Sequence, residues 1–133
     1  MAARIAACSC GALRATVEAE PIRVSICHCL ACQRRTGSSY GVQARFPADA
    51  VRVEGEYREY VRYSDEDGEE RTFCFCPECG ATVFYTSPFL AGFIAIPVGA
   101  FADPGFPPPT VSVWEARRHP WQPLPETITD HVD

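Results

Sequence analysis

The sequence predicts a single β-dominated domain made of several small antiparallel sheets. Its 133 residues have the length of one domain, and 47% hydrophobic with 22% charged residues is typical of a globular chain with a buried core. Apolar and polar residues alternate along most of the chain, which is the period of a strand, and turn residues interrupt the alternation about every ten residues. We expect the ordered core at about 5–125 and a C-terminal tail at 126–133.

The alternation locates the strands in chain order. In the first of them, Leu13, Ala15 and Val17 alternate with polar residues. A second alternating segment starts at Ile22 and runs directly into Cys27. The segments predicted as strands are 12–18, 22–26, 40–46, 51–53, 57–63, 71–76, 81–86, 93–98 and 110–114.

Three other segments do not follow the strand pattern. A single helical turn is predicted over Leu30–Arg35, ending near Gly37. The acidic segment 64–70 is predicted as a turn, because Asp67-Gly68 favours a hairpin connection. The proline-rich segment 103–109 is typical of a rigid surface loop.

The charge pattern excludes several functions. The formal charge is −5 and all twelve cationic residues are arginine, so neither a Schiff-base lysine nor a P-loop lysine is available. Clustered positive charge for nucleic acid or an acidic membrane is missing too. No apolar run approaches the roughly 18 residues of a membrane span, and Arg4 breaks the short apolar N-terminus that a signal peptide needs. We therefore expect a cytoplasmic protein without nucleic-acid or membrane partners.

The eight cysteines are grouped in three short motifs. In a reducing cytosol such groups are metal sites more often than disulfides. Long cysteine-free stretches separate the motifs, so folding must bring them together. The cysteines are Cys8, Cys10, Cys27, Cys29, Cys32, Cys74, Cys76 and Cys79.

Two of the motifs predict a closed site of four thiolates. Zinc held by cysteines takes four ligands in a tetrahedron, and a turn carrying two cysteines supplies two of them. Residues 8–11, Cys-Ser-Cys-Gly, and 76–80, Cys-Pro-Glu-Cys-Gly, are both turns of this kind, each followed by a predicted strand. Pairing them would attach the N-terminal strand to the middle of the chain. Ordinary buried thiols and a rubredoxin-like iron centre are the alternatives.

The remaining motif predicts a second metal site on Cys27, Cys29 and Cys32. Three protein ligands leave a coordination position open to substrate, whereas four close the site. Cys74 is the candidate fourth ligand, because it lies about 6.5 Å along its strand from Cys76 and should not crowd the first ion. A site of three thiolates, a site of four and a site without metal are all compatible with the pattern, and we favour the first. His28 is a further candidate ligand, although its odd spacing turns it away from its neighbours.

These motifs resemble those of a known family. The signature of the glutathione-dependent formaldehyde-activating enzyme family, which includes the centromere protein V domain, is similar to residues 27–38, Cys-His-Cys-Leu-Ala-Cys-Gln-Arg-Arg-Thr-Gly-Ser. The motifs at 8–11 and 75–80 match two further blocks of the family, and segments 98–104 and 117–125 look like its C-terminal blocks. The resemblance extends over nearly the whole chain.

The resemblance implies a β-tent architecture and two zinc ions per chain. It implies a structural zinc on Cys8, Cys10, Cys76 and Cys79, and a second, labile zinc on Cys27, Cys29 and Cys32. The position of Cys74 is not a usual ligand in the family.

The family's named reaction adds glutathione to formaldehyde and gives S-hydroxymethylglutathione, so the resemblance implies a zinc-dependent carbon–sulfur lyase with a small thiol substrate. Arg34 and Arg35 are then candidates to bind the carboxylates of the thiol, and Ser38, Ser39 or Tyr40 to line the pocket. No catalytic residue is implied beyond the second zinc and its ligands. The alternative is a non-catalytic zinc-binding module that binds a protein partner, as the centromere relatives suggest.

Overall fold

The structure is a computed structural model that describes residues 2–133, with the strands divided between two sheets. The strands are β1 (Arg4–Ala7), β2 (Arg14–Val17), β3 (Arg23–Cys27), β4 (Gly41–Pro47), β5 (Val51–Glu54), β6 (Arg58–Tyr63), β7 (Glu70–Phe75), β8 (Thr82–Thr86), β9 (Phe93–Pro97), β10 (Val111–Val113) and β11 (Asp130–Val132). The α-helix α1 spans Leu30–Thr36, and 3₁₀ turns lie at Ala48–Ala50, Pro88–Leu90, Val98–Phe101 and Glu115–Arg117. The predicted single-domain, mainly β class is confirmed.

The smaller sheet has the strand order β1-β2-β5, and the larger has the order β11-β10-β3-β4-β9-β8-β7-β6. Neighbouring strands are antiparallel except at β10, which pairs in parallel with β3 and with β11. Strands β1 and β11 were not expected from the sequence. Ala6 of β1 is fully buried in the main core but its neighbour Ile5 is half exposed, whereas every residue of β11 is exposed and only backbone pairing holds that strand. The segment expected as a tail therefore supplies an edge strand.

The predicted helical turn is present as α1, directly after β3. Cys29 caps its N-terminus and accepts a hydrogen bond at Sγ from the backbone N–H of Cys32. At the C-terminus of the helix, the N–H of Gly37 donates a hydrogen bond to the carbonyl of Gln33 at 2.8 Å. Within residues 2–133, no helix has both the length and the apolar character to cross a bilayer.

The main core lies between the small sheet and one face of the large sheet. Leu13, directly before β2 of the small sheet, packs in one cluster with Phe46 and Ile96 of the large sheet, and all three are fully buried. Burying each such side chain contributes about 1.5–3 kcal/mol. The ring of Phe101 extends the core, with its centroid 5.9 Å from that of Phe46 and 4.8 Å from that of Phe106.

A pocket lies on the other face of the large sheet. Because successive side chains of a strand point to opposite faces, β3 directs Val24 into the core and presents Arg23, Ser25 and Cys27 to the pocket. The cysteine motif at the end of β3 is therefore held at the rim of a rigid sheet.

Candidate metal centres

The first cysteine cluster joins the two turns at 8–11 and 76–80. The sulfurs of Cys8, Cys10, Cys76 and Cys79 all lie within 4.8 Å of one another. The Sγ atoms of Cys8 and Cys10 are 3.6 Å apart, and those of Cys10 and Cys76 are 3.7 Å apart. Zinc–sulfur bonds of about 2.3 Å in a tetrahedron require sulfur–sulfur distances of about 3.8 Å, so the cluster has the size of a four-thiolate site.

The two turns of this cluster have nearly the same backbone. The N–H of Cys8 donates to the carbonyl of Leu13 and that of Cys76 to the carbonyl of Ala81, both at 3.0 Å. Gly11 and Gly80 follow the second cysteine of each turn with φ of 81° and 78°, a conformation that favours glycine. Backbone N–H groups also point at the sulfurs, as Leu13 N does at Cys8 Sγ over 3.2 Å. Such donors stabilise thiolates, which are the form that binds metal.

The second cluster lies where β3 passes into α1. Cys27 ends the strand, Cys29 caps the helix and Cys32 lies in its first turn, and their sulfurs are within 4.8 Å of one another. All three residues are less than a tenth exposed. His28 points elsewhere, since it is fully buried with Nε2 3.3 Å from Ser112 Oγ, and it does not join the cluster.

The sulfurs of the second cluster interact strongly with one another. The thiols of Cys27 and Cys32 donate to the Cys29 sulfur and lower the pKa of Cys29 to about 2. The neighbouring sulfurs of Cys29 and Cys32, followed by burial, raise the pKa of Cys27. Burial and the neighbouring sulfurs thus oppose several thiolates in this cluster unless a cation lies between the sulfurs. The donor set therefore fits a thiophilic metal ion such as zinc.

A pocket of about 350 Å³ opens on this second cluster. Cys27, Cys29 and Cys32 all form part of its wall, together with the aromatic side chains of Phe73 and Tyr85. Two arginines of the wall lie over the Phe73 ring, with the Cζ atoms of Arg35 and Arg62 5.2 and 5.1 Å from its centroid, and their charges act on Cys32 and Cys29 respectively. A ligand in the pocket can therefore reach the sulfurs, whereas the pocket wall includes no residue of the first cluster.

Cys74 does not join either cluster in the described chain. It is 2% exposed and packs in the main core, and burial raises the pKa of its thiol to about 11. Its neighbour Phe73 occupies the opposite face of β7 and lines the pocket. The strand alternation therefore turns Cys74 away from the second cluster. Cys74, the candidate fourth ligand, is therefore a core thiol in this structure, and three cysteines surround the second site.

The candidate substrate residues are distributed differently from the sequence expectation. Arg35 lines the pocket, but Arg34 and Ser38 are exposed outside it. Tyr40 is half-buried beside the ring of His28, with ring centroids 6.5 Å apart, and Ser39 donates to Gln122. The structure brings only Arg35 of this set to the pocket wall.

Sequence reasoning missed several residues of the pocket. Arg23, Arg45, Arg62 and Arg71 line it, as does Tyr85. For Arg23 a signal exists, because it is four residues before Cys27 on a predicted strand and must share its face. The others come from strands distant in sequence. Together, the fold and the two clusters define a β protein with two cysteine sites that could hold metal, one closed and one facing a pocket.

The family of this chain is shown by a direct match. The family model described as glutathione-dependent formaldehyde-activating enzyme matches residues 3–117, and the chain belongs to this family. The resemblance seen in the cysteine motifs is thereby confirmed.

Comparison with individual proteins supports the fold and nothing further. No curated protein matches this chain. Among solved structures, the crystal structure of a Rhodobacter sphaeroides protein is similar, with a TM-score of 0.55 and 20% sequence identity. The match covers 78% of this chain and 91% of that one. At this identity the likeness shows the fold alone.

Proposed function

We propose that the protein is a cytoplasmic, zinc-dependent carbon–sulfur lyase with two zinc ions per chain. It would form and cleave an adduct of a small thiol and formaldehyde, of which S-hydroxymethylglutathione is the example. One observation carries the proposal: the second cluster has three sulfurs and faces a pocket of about 350 Å³, whereas the first has four sulfurs. Family membership supports the same assignment.

The reaction is a reversible addition. The thiol sulfur bonds to the carbonyl carbon, the π bond of the carbonyl breaks, and the thiol proton ends on the oxygen, so that no oxidant or reductant is needed. When bound to Cys27, Cys29 and Cys32, zinc would supply Lewis acidity that stabilises a thiolate at neutral pH. The positive charges of Arg35 and Arg62 beside the cluster favour the same thiolate.

Tyr85 is the side chain best suited to donate a hydrogen bond to the carbonyl oxygen that receives the proton. It lines the pocket and is 9% exposed, and burial followed by the charge of Cys32 raises its pKa. The phenol therefore remains protonated at neutral pH and can donate a hydrogen bond to the carbonyl oxygen. This role rests on the proposed reaction.

The test is the exchange of ¹³C-formaldehyde with glutathione, followed by NMR against the uncatalysed rate. We expect the zinc-loaded protein to accelerate the exchange, and Cys32→Ser to abolish the acceleration. Arg14→Gln, an exposed change on β2, should keep the wild-type rate. A folded protein with two zinc ions and no acceleration would refute the lyase and favour a zinc-binding module for a protein partner.

A further inference from the structure

Arginines dominate the charged wall of the pocket. Five of them line it: Arg23, Arg35, Arg45, Arg62 and Arg71. Within residues 2–133, only Arg71 of these five forms an ion pair, with Asp67 at 3.3 Å. The pocket therefore holds several guanidinium groups without carboxylate partners, in a chain whose formal charge is −5.

Two of the unpaired arginines face each other across neighbouring strands. Arg23 of β3 lies directly opposite Arg45 of β4 in the antiparallel register, and both side chains line the pocket. Like charges directly opposite on a sheet are destabilising. Burial, followed by the charge of Arg23, lowers the pKa of Arg45. The folded protein thus retains an unfavourable charge pair that a bound anion would relieve.

The surrounding polar atoms leave hydrogen-bonding capacity for a ligand. Among the described residues, Arg23 Nε and Gln43 Oε1 are buried and have no hydrogen-bond partner. The amide nitrogen of Gln43 donates to Ser25 Oγ at 3.2 Å, and Ser25 is 7% exposed. The free donor on Arg23 needs an acceptor, and unsatisfied buried groups of this kind are costly without one.

The arginine pair and the second cysteine cluster occupy different ends of one strand face. Arg23, Ser25 and Cys27 follow each other at two-residue intervals along β3. A strand rises about 3.3 Å per residue, so the Cα atoms of Arg23 and Cys27 are about 13 Å apart. Formaldehyde carries no charge and has a single carbon, so a group that reaches the arginines must belong to the thiol.

We propose that Arg23 and Arg45 form a subsite for an oxyanion, a carboxylate or a phosphate, on the end of the substrate thiol remote from its sulfur. This inference rests on the proposed lyase function for the identity of the substrate, but the anion site itself is independent of turnover. It makes Arg23 and Arg45 determinants of which anionic thiol the pocket accepts.

The direct test uses anions without a thiol. The Nε–H resonances of the arginines are followed by NMR in the full zinc-loaded protein while inorganic phosphate or acetate is added. We expect saturable shifts at Arg23 and Arg45 and none at Arg14, which is exposed on β2. Tighter binding of phosphate than of acetate assigns the oxyanion as a phosphate, and the reverse order assigns a carboxylate. Absence of saturable shifts at both arginines, or equal shifts at Arg14, would overturn the proposal.

Variants separate the site from a general charge effect. Arg23→Gln and Arg45→Gln should each weaken binding of the preferred anion about tenfold by calorimetry, since charge-assisted hydrogen bonds to a guanidinium fork are lost. The melting temperature should stay the same or rise, because the like-charge pair is removed. Arg14→Gln is the matched control and should change neither quantity. Unchanged anion affinity in both pocket variants would refute the subsite.

The two proposals fail in different ways. Anion binding at Arg23 and Arg45 without any formaldehyde exchange would refute the lyase and leave the subsite in place. Accelerated exchange with no loss of anion affinity in Arg23→Gln or Arg45→Gln would refute the subsite and leave the lyase in place. If one variant fails to fold, the other variant and the wild-type titration still decide the question.

Discussion

The two cysteine clusters differ in how the chain collects their ligands. The first joins residues 66 positions apart, as Cys10 and Cys76 show. It connects the turn before β2 of the small sheet to the turn before β8 of the large sheet. The second takes all its sulfurs from Cys27 to Cys32, at one strand end and the helix that follows. The first cluster closes a long loop, and the second closes almost none.

This difference suits the first cluster to stabilising the fold and the second to binding a ligand. The entropy of closing a loop grows with loop length, so a metal at the first cluster stabilises the fold far more than one at the second. The second cluster lies on a strand and helix that are already held by β4 and β10. It can keep an open position towards the pocket because the fold does not depend on closing it. The predictions below test this division, beginning with the largest effect.

Cys76→Ala should unfold the protein or make it insoluble. Structural zinc contributes on the order of 10 kcal/mol in small domains, which is comparable to the whole stability of a domain. The measurement is circular dichroism with thermal unfolding of the purified chain. Cys74→Ala is the matched control, because Cys74 is equally buried two residues away and belongs to neither cluster. A soluble Cys76→Ala protein that melts like the control would contradict the structural role of the first cluster.

Mild chelation should distinguish the two ions. We expect native mass spectrometry to find two zinc ions per chain in freshly purified protein, and one after brief exposure to a chelator. The ion at the second cluster should leave first, since it has three sulfurs and faces the pocket. Cys32→Ser should hold one ion before chelation and remain folded. Loss of both ions together would show that the two clusters do not differ in this way.

Most of the fold was predictable from the sequence because its signals are local. Alternation marks β2 through β10, and Gly37 marks the end of helix α1. β1 was missed because Ala6 is its single fully buried residue and gives no alternation, and β11 was missed because all of its residues are exposed; each is placed by pairing with a neighbouring strand. Local patterns carry no trace of such pairing.

The candidate site was predictable only in part, for a related physical reason. Cysteine spacing and the family resemblance predict both clusters, because ligands in tight turns are local. The pocket is lined by β3, β4 and all the strands from β6 to β11, so Arg45, Arg62 and Tyr85 enter it through strand order that alternation does not reveal. The role of Cys74 stayed open for the same reason: its own strand determines two faces, but only the sheet order decides which face meets the pocket.

Tyr85→Phe should lower the rate of formaldehyde exchange about 100-fold, if the phenol donates a hydrogen bond to the carbonyl oxygen. The ring is retained, so metal content and the melting temperature should stay close to wild type. The measurement is the same NMR exchange, with zinc counted in parallel. Tyr57→Phe is the matched control, because Tyr57 is exposed and lies outside the pocket. A wild-type rate in Tyr85→Phe would remove the phenol from the proposed reaction without affecting the assignment of the clusters.

Cys74→Ala should have the smallest effect, and it tests whether the second cluster has a fourth protein ligand. If the second site had a fourth thiolate, this change would release its zinc. The structure instead packs Cys74 into the main core, with Phe73 on the pocket face of the same strand. We therefore expect two zinc ions, an unchanged exchange rate and a loss of stability of about 1 kcal/mol from the lost sulfur contacts. Metal analysis decides the question, because both Cys74→Ala and Cys74→Ser remove the thiolate, so loss of the second ion in both variants would show that Cys74 is a ligand of that site. Two ions in both variants leave the second cluster with three protein ligands and its remaining position facing the pocket.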